Sequence, residues 1–382
     1  MSIQFAVWGA NIAGGFLRAA VDQDRDGSLA YNVQLAQLAE QMEFNAMLFP
    51  VRYIGGIGGG DAASGQLDPL TITAALAAVT RKIHLISAVL PGFIHPVTLA
   101  KMGATLDHIS SGRWHVNLVS GWFQEEQEMF GIPWIPHEDR YRRSEEYLEV
   151  LKGLWTHDTF TYRGKYYDIQ EGRIRPFPYQ KPYPSIYQGG NSPEARSMAA
   201  RLSDWYFLNG APLTQLREQI SQVKELAAAQ GRTIRFAVNG FALARETEAE
   251  AQREYETIVE HADLSAIRQF QERAKGAKGM WSNAVSVSDF VANNEGFRTG
   301  LVGSFDQVSE KIAGLQEAGV DKVLLAFRFP LEEMKPFRER VMTRFLGNNS
   351  EGGCRIPSSH GRGSSRSDER REATRTAAQS KG

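Results

Sequence analysis

The sequence has one cysteine, few histidines and almost no net charge, and these shortages exclude several classes of protein. Its 382 residues include only Cys354, which excludes intrachain disulfides and thiolate metal clusters. The 8 histidines show no His-x-x-x-His or His-Glu-x-x-His spacing, so we expect no protein-held metal. A formal charge of -1 gives no reason to expect a nucleic-acid partner.

Long apolar runs are also missing. The first residues, MSIQFAVWGA, contain neither the basic region of a signal peptide nor an apolar run long enough to span a membrane. Together with the single cysteine, this predicts a cytoplasmic protein without a membrane partner. Hydrophobic residues still make up 42% of the chain, which is enough for a sizeable core.

Short strand-like runs alternate with longer amphipathic runs along the chain. IQFAVW, AMLFP, IHLISAV and WHVNLVS are rich in β-branched and aromatic residues, whereas YNVQLAQLAEQMEF has apolar residues at helical spacing. About eight such units predict an α/β fold, a (β/α)₈ TIM barrel with parallel strands and right-handed crossovers. An open, doubly wound sheet is the competing architecture.

Two insertions and a tail interrupt this alternation. Residues 159–187 are aromatic and proline-rich with a glycine turn, which predicts a small β-hairpin before the fifth strand. Residues 264–303, which include Trp281, have weak periodicity, which is typical of an active-site lid or of a disordered segment. Residues 347–382 lack phenylalanine, tyrosine and tryptophan and are rich in Ser, Gly and Arg, so we predict disorder there. Residues 1–346 then form a single barrel domain.

The active site of a (β/α)₈ barrel lies at the C-terminal ends of its strands, so the residues there are candidates. Arg52 follows the second strand and precedes a glycine-rich loop, whose spacing fits mobility better than phosphate binding. Ala88, on the third strand, either leaves room for a flat ligand or simply packs. Asn117, on the fourth, costs about 1–3 kcal/mol to bury unless its amide is hydrogen-bonded. It is therefore either paired within the core or directed at a polar ligand.

The stretch QGGNSPEARS is typical of a strand end followed by a helix start. Gly190 closes the strand, Ser192 is suited to cap the helix, and Pro193 suits its first position. A helix N-terminus attracts phosphate, although capping alone explains the pattern equally well. Arg140 and Tyr141 lie near the start of an earlier helix. They either add a cation and a hydroxyl group to the same phosphate-binding position or are exposed to solvent.

The words VNLVSGWF, HEDRYRRSEE, QGGNS and SDWYF resemble those of the bacterial luciferase-like, two-component FMNH2-dependent monooxygenases, and most of all the dimethylsulfone monooxygenases. The resemblance covers about residues 3–345. It implies a luciferase-like TIM barrel, FMN as FMNH2 together with O2, and a separate NAD(P)H:flavin reductase. It also implies a homodimer or homotetramer and oxygenation of a small organosulfur substrate, most simply dimethylsulfone to methanesulfinate.

The resemblance also implies roles for individual residues. Trp122 forms part of the wall of the site. Glu126 belongs to the flavin site, whereas the sequence around it, without the resemblance, predicts a surface residue. Arg298, in the lid, reaches an anionic substrate or the flavin phosphate, or is merely solvated. The implied cofactor-binding residues are Val51, Arg52, Asn117, Glu126, Arg140, Tyr141, Gly190 and Ser192. The implied catalytic residues are Asn117, Ala88, Trp122 and Arg298.

One departure from the pattern leaves the substrate open. Phe93 and Ile94 follow Leu-Pro-Gly where the dimethylsulfone enzymes have Pro-Trp, so the substrate wall differs. The same flavin chemistry on a halogenated or nitrogenous aromatic, with dehalogenation or ring opening, is one alternative. An F420-dependent hydride-transfer relative and a non-catalytic flavin carrier are others. His95 lies close to this wall, where a structural role is equally consistent with the sequence.

Overall fold

Eight parallel strands close into a barrel in the computed structural model of the chain, which describes residues 2–55, 65–275 and 284–346. Around the barrel the order is β1-β12-β9-β8-β7-β4-β3-β2, with all neighbours parallel. The strands are β1 (Gln4–Trp8), β2 (Ala46–Phe49), β3 (His84–Val89), β4 (Trp114–Leu118), β5 (Phe160–Arg163), β6 (Asp168–Gly172), β7 (Ile186–Gly189), β8 (Trp205–Leu208), β9 (Arg235–Phe241), β10 (Leu243–Arg245), β11 (Val302–Ser304) and β12 (Lys322–Ala326).

Helices follow the barrel strands, and most of them pack side by side around the barrel. The helices are α1 (Leu29–Gln41), α2 (Pro69–Val79), α3 (Pro96–Ile109), α4 (Gln124–Met129), α5 (His137–Thr156), α6 (Pro193–Leu202), α7 (Leu213–Ala228), α8 (Glu248–Glu260), α9 (Leu264–Ala274), α10 (Val287–Val291), α11 (Phe305–Glu317) and α12 (Pro330–Arg340), with 3-10 turns at Asn293–Thr299 and Met342–Arg344. The predicted (β/α)₈ barrel is confirmed, and the open sheet is wrong because β1 pairs with β12. Within the described ranges, no helix is long and apolar enough to cross a bilayer.

The two insertions behave differently. Strands β5 and β6 pair antiparallel within residues 159–187, where the turn pattern predicts a hairpin. The 264–303 segment is more helical than its weak periodicity suggests. Its helical pattern is weak in the sequence because α9 buries only Ile267 and Phe270, and its other residues are mostly polar. The glycine-rich loop at 56–64, Trp281 and the tail from Gly347 lie outside the described residues.

Strand β4 shows how the barrel directs side chains. Trp114, Val116 and Leu118 pack outward into a cluster with helical residues such as Leu148. Because successive side chains on a strand point to opposite faces, the side chain of Asn117 points into the barrel. The alternation therefore decides that the one amide of this strand faces the interior.

Candidate active site

A cavity opens at the C-terminal ends of the barrel strands, where the active sites of such barrels lie. Strand residues at or near these ends contribute to its wall: Trp8, Leu48, Ala88, Asn117, Gly189, Phe207 and Ala326. Most of the site residues predicted from the sequence meet here. Those that line the cavity are Val51, Arg52, Ala88, Asn117, Trp122, Arg140, Tyr141 and Gly190.

Asn117 lines this cavity and carries a buried acceptor without a partner. Its side chain is only 7% exposed, and its Oδ1 has no hydrogen-bond partner among the described residues. Ala88 is its register partner on β3, and the small methyl group leaves space beside the amide. An unpartnered buried acceptor costs about 1–3 kcal/mol. The geometry therefore favours a polar ligand over a pairing of this oxygen within the core.

Glu126 is buried, contrary to its interpretation as a surface residue. It is 1% exposed, and its Oε1 accepts hydrogen bonds from the backbone N–H groups of Tyr53 at 2.6 Å and Ile54 at 3.4 Å. It is not among the described residues that line the cavity. Its carboxylate instead stabilises the backbone of Tyr53 and Ile54, the residues that follow Val51 and Arg52.

The N-terminus of α6 directly follows Gly189 and Gly190, which line the cavity, whereas its cap Ser192 is not among the described lining residues. Ser192 caps the helix by accepting a hydrogen bond from the backbone N–H of Ala195 at 3.3 Å, and Pro193 occupies the first turn. Gly190 has a φ of +129°, and a Cβ there would lie 2.7 Å from Tyr141 Oη and 2.8 Å from Ala195 Cβ. Only glycine fits, so the backbone itself lines the cavity at this point.

Arg140 is almost completely buried, so the interpretation of an exposed helix start is wrong for it. It is 2% exposed, its Nε donates to Gly121 O at 3.0 Å, and its Nη1 donates to Ile135 O at 2.8 Å. The guanidinium thus ties the turn after β4 to the first turn of α5, while it still lines the cavity.

Tyr141 and His137 lie on the same face of α5, four residues apart. Burial raises the pKa of Tyr141 to about 12, so its hydroxyl remains a donor at neutral pH. His137 was not predicted from the sequence, yet its Nε2 lies 3.1 Å from Ser192 Oγ and 3.2 Å from Glu194 Oε2. The four-residue spacing to Tyr141 was the signal available for it.

Aromatic residues form another wall. Trp122 is 6% exposed, and its ring lies 5.7 Å from that of Phe270 on α9. The guanidinium carbon of Arg52 is 5.0 Å from the centroid of Trp122, and that of Arg18 is 3.9 Å from the centroid of Phe270. Arg18 and Phe270 were not predicted, because neither lies in a recognisable motif.

The part of the cavity lining that the structure describes is electropositive. It includes three arginines, Arg18, Arg52 and Arg140, whereas the lining residues that the structure describes include no aspartate or glutamate. Such a site attracts ligands that carry negative charge or electron-rich oxygens.

Arg298, a predicted catalytic residue, is not among the described lining residues. Its Nη1 donates to Glu295 Oε1 at 2.7 Å, and its Nε lies 3.7 Å from Asp289 Oδ1. Glu295 also accepts from Asn209 Nδ2 at 3.0 Å, and burial raises the pKa of its carboxyl. This network holds the 3-10 turn whose first residues, Asn293 and Asn294, line the cavity.

His95 has a structural contact instead of a place in the cavity lining. Its Nδ1 accepts a hydrogen bond from the backbone N–H of Val97 at 3.3 Å, which caps α3. It is not among the lining residues in the described part of the chain.

The sequence and the fold both match known proteins. The profile of the family "Luciferase-like monooxygenase" matches residues 12–322. An FMNH(2)-dependent dimethylsulfone monooxygenase of Pseudomonas putida is 39% identical over 89% of this chain and 94% of its own length. One of Pseudomonas fluorescens (strain Pf0-1) is 38% identical over 89% and 94%. The crystal structure of the long-chain alkane monooxygenase LadA superposes with a TM-score of 0.78, at 22% identity, over 90% of this chain and 91% of LadA. The chain therefore belongs to the luciferase-like monooxygenase family.

Proposed function

We propose that this protein is an FMNH2-dependent monooxygenase that uses O2 to oxygenate a small organosulfur compound, dimethylsulfone, and releases methanesulfinate. The observation that carries this proposal is the cavity at the C-terminal ends of the barrel strands, which brings Asn117 together with Arg52 and Tyr141. The relatives from two Pseudomonas species, both FMNH(2)-dependent dimethylsulfone monooxygenases, support the choice of cofactor and substrate.

The residues present fit FMN. The N-terminus of α6, with Ser192, Tyr141 and His137 around it, offers N–H and O–H groups to a phosphate. Asn117 would satisfy its amide on the polar edge of the isoalloxazine, and Ala88 leaves room for the flat ring system. Gly190 allows the cofactor to approach the backbone closely.

When bound, reduced FMN supplies the activated oxygen, and the protein supplies binding, orientation and shielding. Trp122 and Phe270 form an apolar wall that keeps water from the reacting atoms. Glu126 holds the backbone beside Val51 and Arg52 in place. Arg298 positions the turn that closes another side of the cavity through its ion pair with Glu295.

The overall reaction balances without another co-reactant. Dimethylsulfone, O2 and FMNH2 give methanesulfinic acid, formaldehyde, FMN and water. We infer that a separate NAD(P)H:flavin reductase regenerates FMNH2, because the sequence contains no dinucleotide fingerprint. We also propose a homodimer or homotetramer in the cytoplasm, with residues 1–346 as one barrel domain.

The decisive experiment supplies the purified protein with a flavin reductase, FMN, NADH and ¹⁸O2. Dimethylsulfone, methanesulfonate and a chlorinated aromatic are offered in parallel, and products are identified by mass spectrometry. We expect methanesulfinate and formaldehyde in equal amounts from dimethylsulfone, with the ¹⁸O label retained in formaldehyde that is trapped as it forms, before its hydrate exchanges oxygen with water. We expect no NADH oxidation when the reductase is left out.

Two results would refute the proposal. Turnover of the aromatic without turnover of the sulfone would assign the other substrate class. Binding of F420 without binding of FMNH2 under argon would assign hydride transfer in place of oxygenation.

A further inference from the structure

Asn239 is a buried amide in the interior of the barrel, on β9. Its side chain is 1% exposed. Ala237 and Phe241, two positions before and after it on the same face of the strand, belong to an apolar cluster with residues of most other barrel strands. Branched apolar side chains usually fill this interior. An amide here is unfavourable unless its hydrogen bonds compensate for its burial.

The Asn239 amide is hydrogen-bonded to two separate parts of the cavity wall. Its Oδ1 accepts a hydrogen bond from Trp8 Nε1 at 2.8 Å. Its Nδ2 donates to Asn293 O at 3.1 Å and to Asn294 O at 3.0 Å. All three partners line the cavity, whereas Asn239 is not among the lining residues that the structure describes. The amide therefore joins the end of β1 to the turn after α10 from behind the wall.

The turn that Asn239 holds has a backbone conformation that most residues avoid. Asn294 has a φ of +51° and Glu295 a φ of +57°, so two consecutive residues with side chains are left-handed. Such a conformation persists only where surrounding contacts fix it. The two bonds from Asn239 Nδ2 are such contacts, and the backbone N–H of Gly210 donates another to Asn294 O at 3.0 Å. The lining positions of the turn therefore depend on these bonds.

This part of the wall lies across the barrel from the N-terminus of α6, where we place the FMN phosphate. In the barrel order, three strands separate β1 from β7 on either side. Trp8, at the end of β1, is therefore opposite Gly189, at the end of β7. A phosphate beside α6 leaves the opposite wall to the other parts of the ligands.

The chemistry of this wall suits a small, neutral and dipolar molecule. The rings of Trp8 and Phe207 meet edge to face, with centroids 5.9 Å apart. Three asparagines, Asn209, Asn293 and Asn294, line the cavity beside them. Methyl groups pack well on aromatic rings, and polar oxygens accept hydrogen bonds from amides. A sulfone has both kinds of group.

We propose that Asn239 is a positioning residue that sets the substrate side of the cavity, because it fixes the Asn293–Thr299 turn relative to Trp8. The identity of the substrate rests on the proposed function. Asn239 acts through the turn and through Trp8. Loss of its donor bonds should therefore weaken sulfone binding and leave FMN binding almost unchanged.

The test compares two isosteric variants. Asn239→Asp keeps an acceptor for Trp8 but places an oxygen against two carbonyl groups. The matched control is Asn32→Asp. Asn32 is 0% exposed, its Oδ1 accepts from the N–H of Ala10, and its Nδ2 donates to the carbonyls of Ala10 and Ser28. It has the same kinds of bonds as Asn239, but it is not among the described lining residues.

The same quantities are measured for the wild-type protein and for both variants. Flavin fluorescence gives the FMN affinity, and isothermal titration calorimetry gives the affinity of the FMN-loaded protein for dimethylsulfone. Turnover with a flavin reductase gives kcat and KM. Hydrogen–deuterium exchange, read by mass spectrometry, reports on the Asn293–Thr299 turn, and urea unfolding reports on stability.

We expect Asn239→Asp to raise both the Kd and the KM for dimethylsulfone about tenfold or more, the usual effect of a lost buried hydrogen bond to a charged or polar group. The FMN affinity should stay within about twofold, and kcat within about threefold, because binding is lost and not the reaction step. Exchange in the turn should become faster. Asn32→Asp should lose a comparable amount of stability and change none of the other quantities.

Gly210→Ala displaces the turn without changing Asn239. A Cβ at Gly210 would lie 2.0 Å from Glu295 O, so the turn has to move. This variant should show the same selective loss of sulfone affinity, and it decides the question if Asn239→Asp does not fold.

Three results would overturn the role of Asn239. These are an unchanged sulfone affinity in Asn239→Asp, an equal loss of FMN and sulfone affinity in that variant, or the same loss of sulfone affinity in Asn32→Asp. A wild-type protein that neither binds nor turns over dimethylsulfone would refute the proposed function. The exchange comparison would then still decide whether Asn239 fixes the turn, and unchanged exchange in Asn239→Asp would refute it.

Discussion

The carboxylate of Glu126 accepts a hydrogen bond from the backbone N–H of Tyr53 at 2.6 Å, although the two residues lie 73 positions apart. This bond connects α4 to the segment that follows β2. A residue that looks like part of an exposed acidic helix therefore stabilises the backbone that presents Val51 and Arg52 to the cavity. It supports the described cavity lining through another segment and is not itself one of the lining residues that the structure describes.

Glu126→Ala should weaken FMN binding about tenfold, because it leaves the N–H groups of Tyr53 and Ile54 without their acceptor. Glu126→Gln should restore most of the affinity, since the amide oxygen can still accept. The exposed Glu128 on the same helix supplies the control Glu128→Ala, which should behave as wild type. FMN titration measures the effect, and equal affinities in all four proteins would contradict it.

Asn117→Leu should separate stability from function. Removing a buried, unpartnered acceptor should raise the free energy of unfolding of the cofactor-free protein by about 1 kcal/mol. Sulfone turnover should fall at least tenfold, because the polar contact to the ligand is lost.

The matched control is Asn32→Leu. Asn32 is also buried, but its amide is fully used, with hydrogen bonds to the backbone of Ala10 and Ser28. In urea unfolding, the free energy of unfolding of this variant should fall by several kcal/mol, on the order of the cost of leaving buried backbone groups without hydrogen-bond partners. A comparable loss in Asn117→Leu would mean that Asn117 is a structural residue.

Tyr141→Phe should discriminate FMN from riboflavin. The change removes one buried hydroxyl at the α6 end and keeps the ring in place. FMN affinity should fall about tenfold, while riboflavin, which has no phosphate, should bind as it does to the wild-type protein. Anaerobic titration with both flavins checks this, and an equal loss for the two would place the hydroxyl against another part of the cofactor.

We predict that the buried Lys322 makes the stability of the protein depend on pH. It is 3% exposed inside the barrel, donates to Tyr187 Oη at 2.8 Å and lies 4.4 Å from the Trp205 ring centroid. Burial first, and the charge of Arg235 second, lower the pKa of Lys322 from 10.5 to about 7. Between these two pH values the unfolded chain binds more protons than the folded chain, so this residue makes stability rise with pH.

Lys322→Met removes the charged form and with it this pH dependence. Its free energy of unfolding relative to the wild-type protein should be most favourable below about pH 7 and should decline toward about pH 10. The loss of the hydrogen bond to Tyr187 also changes the free energy of unfolding of the variant, but by an amount that does not depend on pH in this range. Urea unfolding at pH 6.5 and pH 9.5 measures the difference, and an identical difference at both pH values would show that Lys322 titrates normally.

Local patterns in the sequence determined much of this protein. The alternation of strand-like and helical runs predicted parallel strands joined by helices, because the spacing of apolar residues differs between strands and helices. It left the closed barrel and the open sheet as alternatives, and the pairing of β1 with β12 decided between them. Ser192 and Pro193 marked the start of α6, since capping involves residues within one turn. The resemblance then pointed to the residues at the cavity, among them Asn117 and Tyr141.

Only the tertiary structure decided which side chains act together. Glu126 reaches Tyr53, Arg18 stacks on Phe270, and His137 meets Ser192, all across long sequence separations. The resemblance implied that Arg298 contacts a ligand, yet its guanidinium group forms an ion pair with the nearby Glu295. Sequence spacing governs contacts within a strand or a turn of helix. Contacts between elements depend on how the barrel closes, and that is decided by the packing of the whole chain.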